Sequence, residues 1–237
     1  MPPFHWWRTV FFLIPVIGLY TIGLGIVSLI STLVDRDGRF AHRCAAWWAR
    51  LILVTSGVRV ERRGAALPPP EESCVFVSNH ASIYDIPILF TAVPRQVRIV
   101  AKEALGRFPF IGWHLRRGGH LLVNRQNPGA GIFKKMQRMT RQGVSLIVFP
   151  EGSRTPDGVV RRFKGGTFLL AVENRWPIVP LSVSGSRAVM PKGRLMVCPA
   201  DVRVTVHDPI PTVGLTRDDV RELADRVQRV VASEVRA

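Results

Sequence analysis

The chain has 237 residues, 47% hydrophobic and 21% charged, which excludes disorder for most of its length and suffices for one large domain with an appendage. Lys and Arg number 33 against 17 Asp and Glu, a formal net charge of +16. Such an excess calls for an anionic partner: nucleic acid, an anionic membrane or a phosphorylated substrate. Cys44, Cys74 and Cys198 stand far apart without a CxxC or Cys/His cluster, so neither a zinc site nor a disulfide framework is expected, and a reduced compartment fits.

The first element is a run from Thr9 to Val34, 26 residues without a charge. A helix needs about 20 apolar residues to span hydrocarbon. The apolar core of a cleaved signal peptide is only about 7–15 residues, so a retained membrane segment is the better reading. Phe40 to Val60 follows with Trp47, Trp48 and Arg50, residues suited to a membrane–water interface, and predicts an amphipathic helix. The two segments form either a helical hairpin that enters the membrane or one span followed by a surface helix. Gly64 to Ser73 (GAALPPPEES) is the expected boundary, giving a membrane-associated segment over residues 1–63 and a catalytic domain over 64–237.

Beyond it, β-like runs occur at Cys74–Ser78, Val97–Ala101, Leu121–Val123, Ser145–Phe149, Ile178–Ser184, Leu195–Cys198 and Val202–His207. Helical patterns alternate with several of them. Asn127 and Pro128 start one, carrying Ile132, Phe133, Met136 and Met139, and Gly143 ends it. Thr216 and Asp219 resemble a capping box before Val220, Leu223, Ala224, Val227 and Val231 at helical spacing. The fold class is therefore α/β: a central mixed β-sheet flanked by helices, preceded by the N-terminal membrane-associated helical hairpin.

Two polar clusters interrupt the β-like runs. Ser78-Asn79-His80-Ala81-Ser82-Ile83-Tyr84-Asp85 follows the first. On one ideal helix of about 3.6 residues per turn, His80 and Asp85 would sit ~140° apart, so pairing them takes a strand-to-helix turn. A carboxylate on one imidazole nitrogen fixes the tautomer and leaves the other as a base. Alternatively, Asp85 is an N-cap and His80 a turn residue. The second cluster, Phe149-Pro150-Glu151-Gly152-Ser153-Arg154-Thr155, follows another run. It is either an anion clamp, since Arg grips phosphate bidentately, or a solvated turn.

In combination these blocks resemble the glycerolipid acyltransferase family, specifically the 1-acyl-sn-glycerol-3-phosphate acyltransferases. Asn79-His80-x-Ser82-x-x-Asp85 and Phe149-Pro150-Glu151-Gly152-Ser153-Arg154 carry the likeness. Lys102-Glu103-Ala104-Leu105 with Pro109, Gly112 and Val123-Asn124-Arg125, and Ile178-Val179-Pro180-Leu181, stand where two further motifs belong. The resemblance implies transfer of a fatty acyl group from acyl-CoA or acyl-carrier protein to the sn-2 hydroxyl of lysophosphatidate, giving phosphatidate. His80 would be the general base and Asp85 its orienter, while Ser82 is structural. Lys102, Arg125 and Arg154 would bind the acceptor phosphate. Asn79, Glu151, Gly152 and Ser153 would support the substrate, Glu151 by positioning Arg154 or the acceptor's glycerol, with backbone amides near Gly152 as oxyanion donors. No metal or cofactor is implied beyond the thioester co-substrate. The expected partners are membrane lipid, lysophosphatidic acid and the thioester donor, at the cytoplasmic face of the cell membrane.

Other acceptors within the family are glycerol 3-phosphate, a lysophospholipid or a lyso-aminolipid. Outside it stands a basic membrane-associated binding protein without catalysis. A nucleic-acid binder lacks any helix-turn-helix, zinc finger or RNP-like block. A serine hydrolase lacks Gly-x-Ser-x-Gly, despite Ser184-Gly185-Ser186.

Overall fold

The computed structural model describes residues 3–35, 37–107, 111–123, 135, 138–139 and 142–236. Helix α1 runs Phe4–Ser31, with one π-helical turn at Thr9–Leu13. Helix α2 follows over Arg39–Ser56 and stops at Gly57, whose left-handed φ of 76° turns its N–H back onto Leu53 and Val54. The chain then becomes strand β1, Val58–Gly64, so the end of the expected amphipathic helix at Val60 is corrected to Ser56. Gly57 is the physical reason, because its conformation ends the helix and β1 finds a partner strand far along the chain.

Among the described residues the sheet has seven strands: β1, then β2 (Val75–Ser78), β3 (Val97–Lys102), β4 (Leu121–Val123), β5 (Ser145–Val148), β6 (Ile178–Ser184) and β7 (Ala200–Val206). Their spatial order is β1-β7-β6-β2-β5-β3-β4. Strands β6, β2, β5, β3 and β4 run parallel; β7 is antiparallel to β6 and parallel to β1. The sheet is mixed, as expected. Leu195–Cys198 is not a strand; its β-like composition is spent on burying Val197, whose N–H bonds the Thr9 hydroxyl. The helix expected over Asn127–Gly143 falls largely outside the described residues, with Met139 buried within them.

Strand alternation divides the core in two. Phe76, Ile147, Val179 and Leu181 point to one face, covered by α2 and by α3 (Asp85–Ala92). Val75, Val77, Leu146 and Val148 point to the other, covered by α5 (Gly166–Asn174) and α7 (Val220–Ser233). Helix α4 (Ile111–Arg117) lies between β3 and β4 in the chain, and the short α6 (Ser186–Val189) follows β6. Leu223, Ala224, Val227 and Val231 form the buried stripe of α7, as their spacing predicts. At its start both the Thr216 amide and hydroxyl donate to the Asp219 carboxylate.

Helix α1 lies along this domain. Near its start the Thr9 hydroxyl accepts the Val197 amide at 2.9 Å, and Arg8 donates to the Thr55 carbonyl. In its middle Thr21 accepts from Trp48 at 2.8 Å, and near its end Ser28 meets His114 Nδ1 at 2.7 Å. Beyond that end Arg98 donates to the carbonyls of Asp37 and Gly38. The outer surface of the helix pair stays apolar and exposed: Phe11, Leu19, Ile30, Trp47 and Val54 among others.

Histidines line the far end of this seam. Burial, reinforced by the Arg98 charge, pushes His114 down to about 4 and His120 well below its ordinary value. Both are neutral in the fold, and His120 Nδ1 accepts the Ile99 amide. Because the folded-state value lies below the unfolded value of about 6.5, the folded form binds fewer protons. The contribution of these two histidines is therefore complete above pH 6.5 and lost as pH falls toward 4, opposite in sign to that of any carboxyl raised in the fold. The melting temperature should drop across that window, and His114→Gln should drop less; equal pH slopes in thermal melts would refute the account.

Candidate active site

Strands β2, β5, β3 and β4 run parallel, so their C-terminal ends share one edge of the sheet. The polar block after β2, the turn after β5, and Lys102 at the end of β3 therefore converge there, the switch-point edge where α/β sheets bind ligands. Lys102 pairs in register with Val123, the last residue of β4. Arg125 and Asn124 lie outside the described residues, as does the Lys102 side chain.

Asn79 continues β2 by side chain. Its amide donates to the Val183 carbonyl and accepts the Val183 N–H, both at 2.8 Å, tying the strand end to β6. It is buried and spent on the backbone, hence a support. The next residues make the strand-to-helix turn that the His80–Asp85 spacing requires. Asp85 Oδ2 accepts three N–H groups at 2.8 Å: His80 Nδ1, the Ala81 amide and the Ser82 amide. Asp85 is fully buried at the first residue of α3. The N-cap reading of Asp85 is corrected: Tyr84 is the N-cap, without a side-chain bond to the helix, and Asp85 is the first helical residue, its Oδ2 turned back to close the preceding turn and hold the imidazole. A carboxylate only accepts, so Nδ1 carries the proton and Nε2 keeps its lone pair. The His80 side chain is 16% exposed, and the imidazole stacks on Phe149 with centroids 4.1 Å apart. Ser82 is structural, its hydroxyl donating to the Met190 carbonyl.

The turn after β5 wraps around His80. Thr155 donates its amide to the His80 carbonyl at 2.8 Å, and Glu151 Oε1 accepts the His80 amide at 2.9 Å. Glu151 therefore grips the His80 turn, where the sequence pointed to Arg154 or the acceptor; no repeat or spacing relates residue 151 to residue 80, so only the fold reveals this contact. The stacking of Phe149 and the bond of Thr155 were equally hidden. Gly152 has φ 80° and spends its N–H on the Phe149 carbonyl, closing the turn, so that amide is no oxyanion donor. Ser153 is exposed and Arg154 half-buried, with Lys192 donating to the Arg154 carbonyl at 3.0 Å. Arg187 likewise donates to the Pro156 carbonyl, so Arg154, Arg187 and Lys192 gather at this turn, while Arg161 faces Asp157. Among the described residues no group of His, Cys, Asp or Glu is arranged to hold a metal ion.

Burial pushes the Glu151 carboxyl up to about 7; the His80 and Arg161 amides pull it back, and the Asp85 charge adds to the rise. The Arg161 amide completes no hydrogen bond to it, and Oε2 is buried without a partner among the described residues.

Beside the turn lies an apolar cavity of about 150 Å³ between the helix pair and the sheet. Leu24, Ala45, Trp48, Ile86 and Phe90 line it, and Ile86 directly follows Asp85.

The family model described as Acyltransferase matches residues 59–184. The human 1-acyl-sn-glycerol-3-phosphate acyltransferase alpha is 37% identical over 175 residues, 73% of this chain and 62% of that protein. The human beta protein of the same name is 30% identical over 223 residues, 91% and 80% of the two chains. A chloroplastic relative from Brassica napus is 33% identical over 183 residues, and the chain spans 53% of its length. The crystal structure of the 1-acyl-sn-glycerophosphate (LPA) acyltransferase PlsC from Thermotoga maritima superimposes with a TM-score of 0.69 at 25% identity. That match covers 91% of this chain and 95% of the other.

Glu151 carries a pH signature. Its folded-state value near 7 exceeds the ordinary 4.5, so the folded form holds its proton longer and stability falls as pH rises from 4.5 to 7. Glu151→Gln removes that penalty. Above pH 7 the variant should be more stable than wild type by on the order of 1–3 kcal/mol, with the difference gone below pH 4.5. Denaturant titrations at pH 4.5 and 8 check this; a variant less stable at pH 8 would contradict it.

Proposed function

The chain belongs to the acyltransferase family, and from that premise we propose that it acylates the sn-2 hydroxyl of 1-acylglycerol 3-phosphate from an acyl thioester, acyl-CoA or acyl-carrier protein, forming phosphatidate. The observation that carries the reading is the His80 Nδ1–Asp85 Oδ2 bond of 2.8 Å at the mouth of the parallel strands. His80 Nε2 takes the acceptor hydroxyl proton as that oxygen attacks the thioester carbonyl. Asp85 stabilises the imidazolium formed. The tetrahedral intermediate collapses, the C–S bond breaks, and the thiolate leaves with the proton returned by His80. The alcohol attacks directly, so no enzyme nucleophile enters. Arg154, with Lys102 at the end of β3 and with Arg125, binds the acceptor phosphate. The apolar cavity beside Ile86 offers room for hydrocarbon from the acyl donor.

His80→Ala should lower kcat by about 10²–10⁴, the usual worth of a general base. Folded protein that retains a tenth of wild-type turnover would remove His80 from that role. Arg154→Lys should raise the acceptor KM while leaving the donor KM unchanged, because an ammonium cannot replace a bidentate fork. A panel of lysophosphatidate, glycerol 3-phosphate, lysophospholipids and a lyso-aminolipid with one labelled acyl-CoA tests the acceptor; preference for any acceptor other than lysophosphatidate would overturn that part of the reading.

We further propose that the helix pair attaches the protein to the cytoplasmic face of the cell membrane. Contacts of α1 with the domain extend from Thr9 to Ser28, close to the full length of the helix. A spanning orientation would carry one end about 30 Å from the other side of the bilayer and break one set of those bonds. A pair lying in one leaflet keeps both sets and buries Phe11, Leu19, Ile30 and Trp47 in lipid. Leu19→Asp with Ile30→Asp should therefore release protein from membranes without loss of activity in detergent. A cysteine at position 3 should be labelled from the cytosolic side; labelling from outside intact cells would establish a span instead.

A further inference from the structure

Three segments hold His80, and one of them is not explained by the chemistry above. Asp85 holds the ring, and Ser82 with Met190 holds the far side of the turn. The main chain of His80 itself is held by the turn after β5: its carbonyl by the Thr155 amide, its amide by the Glu151 carboxylate. The Thr155 bond is an ordinary backbone pair. The Glu151 bond requires a carboxylate 92% removed from solvent, with one oxygen unpartnered among the described residues. Burying a carboxyl on such terms is costly. A glutamine would accept the same amide without a charge, and a backbone carbonyl would do so with no side chain at all.

We propose that Glu151 is a positioning residue for acyl transfer: in its ionised form it clasps the His80 amide, keeps the imidazole against Phe149 and Asp85, and favours the positive charge that develops on His80. This inference rests on the acyl-transfer reading above. Two physical effects separate carboxylate from carboxylic acid here. A charge-assisted hydrogen bond is about twice as strong as a neutral one, so the ionised side chain holds the turn more firmly. The same anion also lowers the energy of the imidazolium through low-dielectric surroundings. The charged and titratable groups facing it are His80 and Asp85 on the turn after β2 and Arg161 beyond the turn after β5. Asp85 opposes its ionisation and Arg161 favours it. Raised to about 7, the carboxyl changes state near neutral pH. Activity therefore requires the form of Glu151 that burial disfavours, and function and stability pull in opposite directions at this residue.

The test compares full-length wild type with Glu151→Gln from pH 5.5 to 9, in detergent, using labelled acyl-CoA and whichever acceptor of the panel supports turnover. The quantity read is the ratio of wild-type to variant kcat at each pH. It should lie near 1 below pH 6 and climb through about pH 7 to roughly tenfold or more at pH 8.5, with acceptor KM changed by less than about threefold. At pH 8.5 the variant should also be the slower protein while being no less stable than wild type, which a purely structural residue would not produce. Hydrogen exchange provides a substrate-free check: Glu151→Ala should speed exchange of the amides of residues 80–82, and Gln should restore most of the protection. A ratio independent of pH overturns the proposal. So does an acceptor KM raised at unchanged kcat, which would place Glu151 on the acceptor instead. Absence of wild-type turnover on lysophosphatidate with turnover on another acceptor would count against the substrate reading alone, because the ratio is then measured on that other acceptor.

Discussion

One carboxylate oxygen organises the candidate site. Asp85 Oδ2 gathers the His80 ring and the amides of Ala81 and Ser82. Remove it and three donors at the start of α3 lose their partner together, two of them in a buried backbone where an unpaired N–H costs about 1–3 kcal/mol. The turn would have to open, and the imidazole would lose both its tautomer and its direction. The same oxygen therefore closes the turn ahead of α3 and fixes the direction of the imidazole. That economy explains the spacing of the pair: five residues allow the chain to leave β2, reverse and enter α3 with the aspartate at the first helical position.

The sheet makes this local device useful. Parallel strands put their C-terminal ends on one edge, so residues distant in sequence meet without any long-range motif. The turn after β5 reaches across to His80 because β5 and β2 are neighbours, with Val77 opposite Val148. The site depends on that register: moving β5 by one residue would turn Val148 from one core face to the other and displace Phe149 from the imidazole.

What could be read beforehand follows from this division between local and distant contacts. The His80–Asp85 pair, the glycine-containing turn and the α7 stripe are local patterns, legible from spacing alone. Five of the β-like runs match strands closely, since buried parallel strands are continuous apolar runs. Strand β1 was obscured because Val58–Gly64 carries four charged residues and lies at the rim, where exposed strand positions take polar side chains. Leu195–Cys198 misled for the opposite reason: its apolar residues serve packing against α1, which composition cannot distinguish from a strand. The bond from Glu151 to the His80 amide involves a side chain and a backbone group 71 positions apart, and nothing periodic connects them.

The helix pair joins these two scales. Ile86 and Phe90 of α3 face the cavity, so the helix that begins at Asp85 also forms part of an apolar wall completed by Leu24 and Trp48 of the pair. Without α1 and α2 that wall would open to water, and hydrocarbon beside the imidazole would lose its shelter. With them, Phe11, Leu19, Ile30 and Trp47 remain exposed on the pair, while Lys192 and Arg187 donate to the carbonyls of Arg154 and Pro156 in the turn after β5. The chain thus carries both an exposed apolar helix face and cationic side chains beside the turn after β5, the two chemistries that the proposed phosphate-headed, hydrocarbon-tailed acceptor calls for. His80 stands between the buried carboxylates of Glu151 and Asp85 with its ring partly open to solvent, the one member of the three that can meet a substrate from outside.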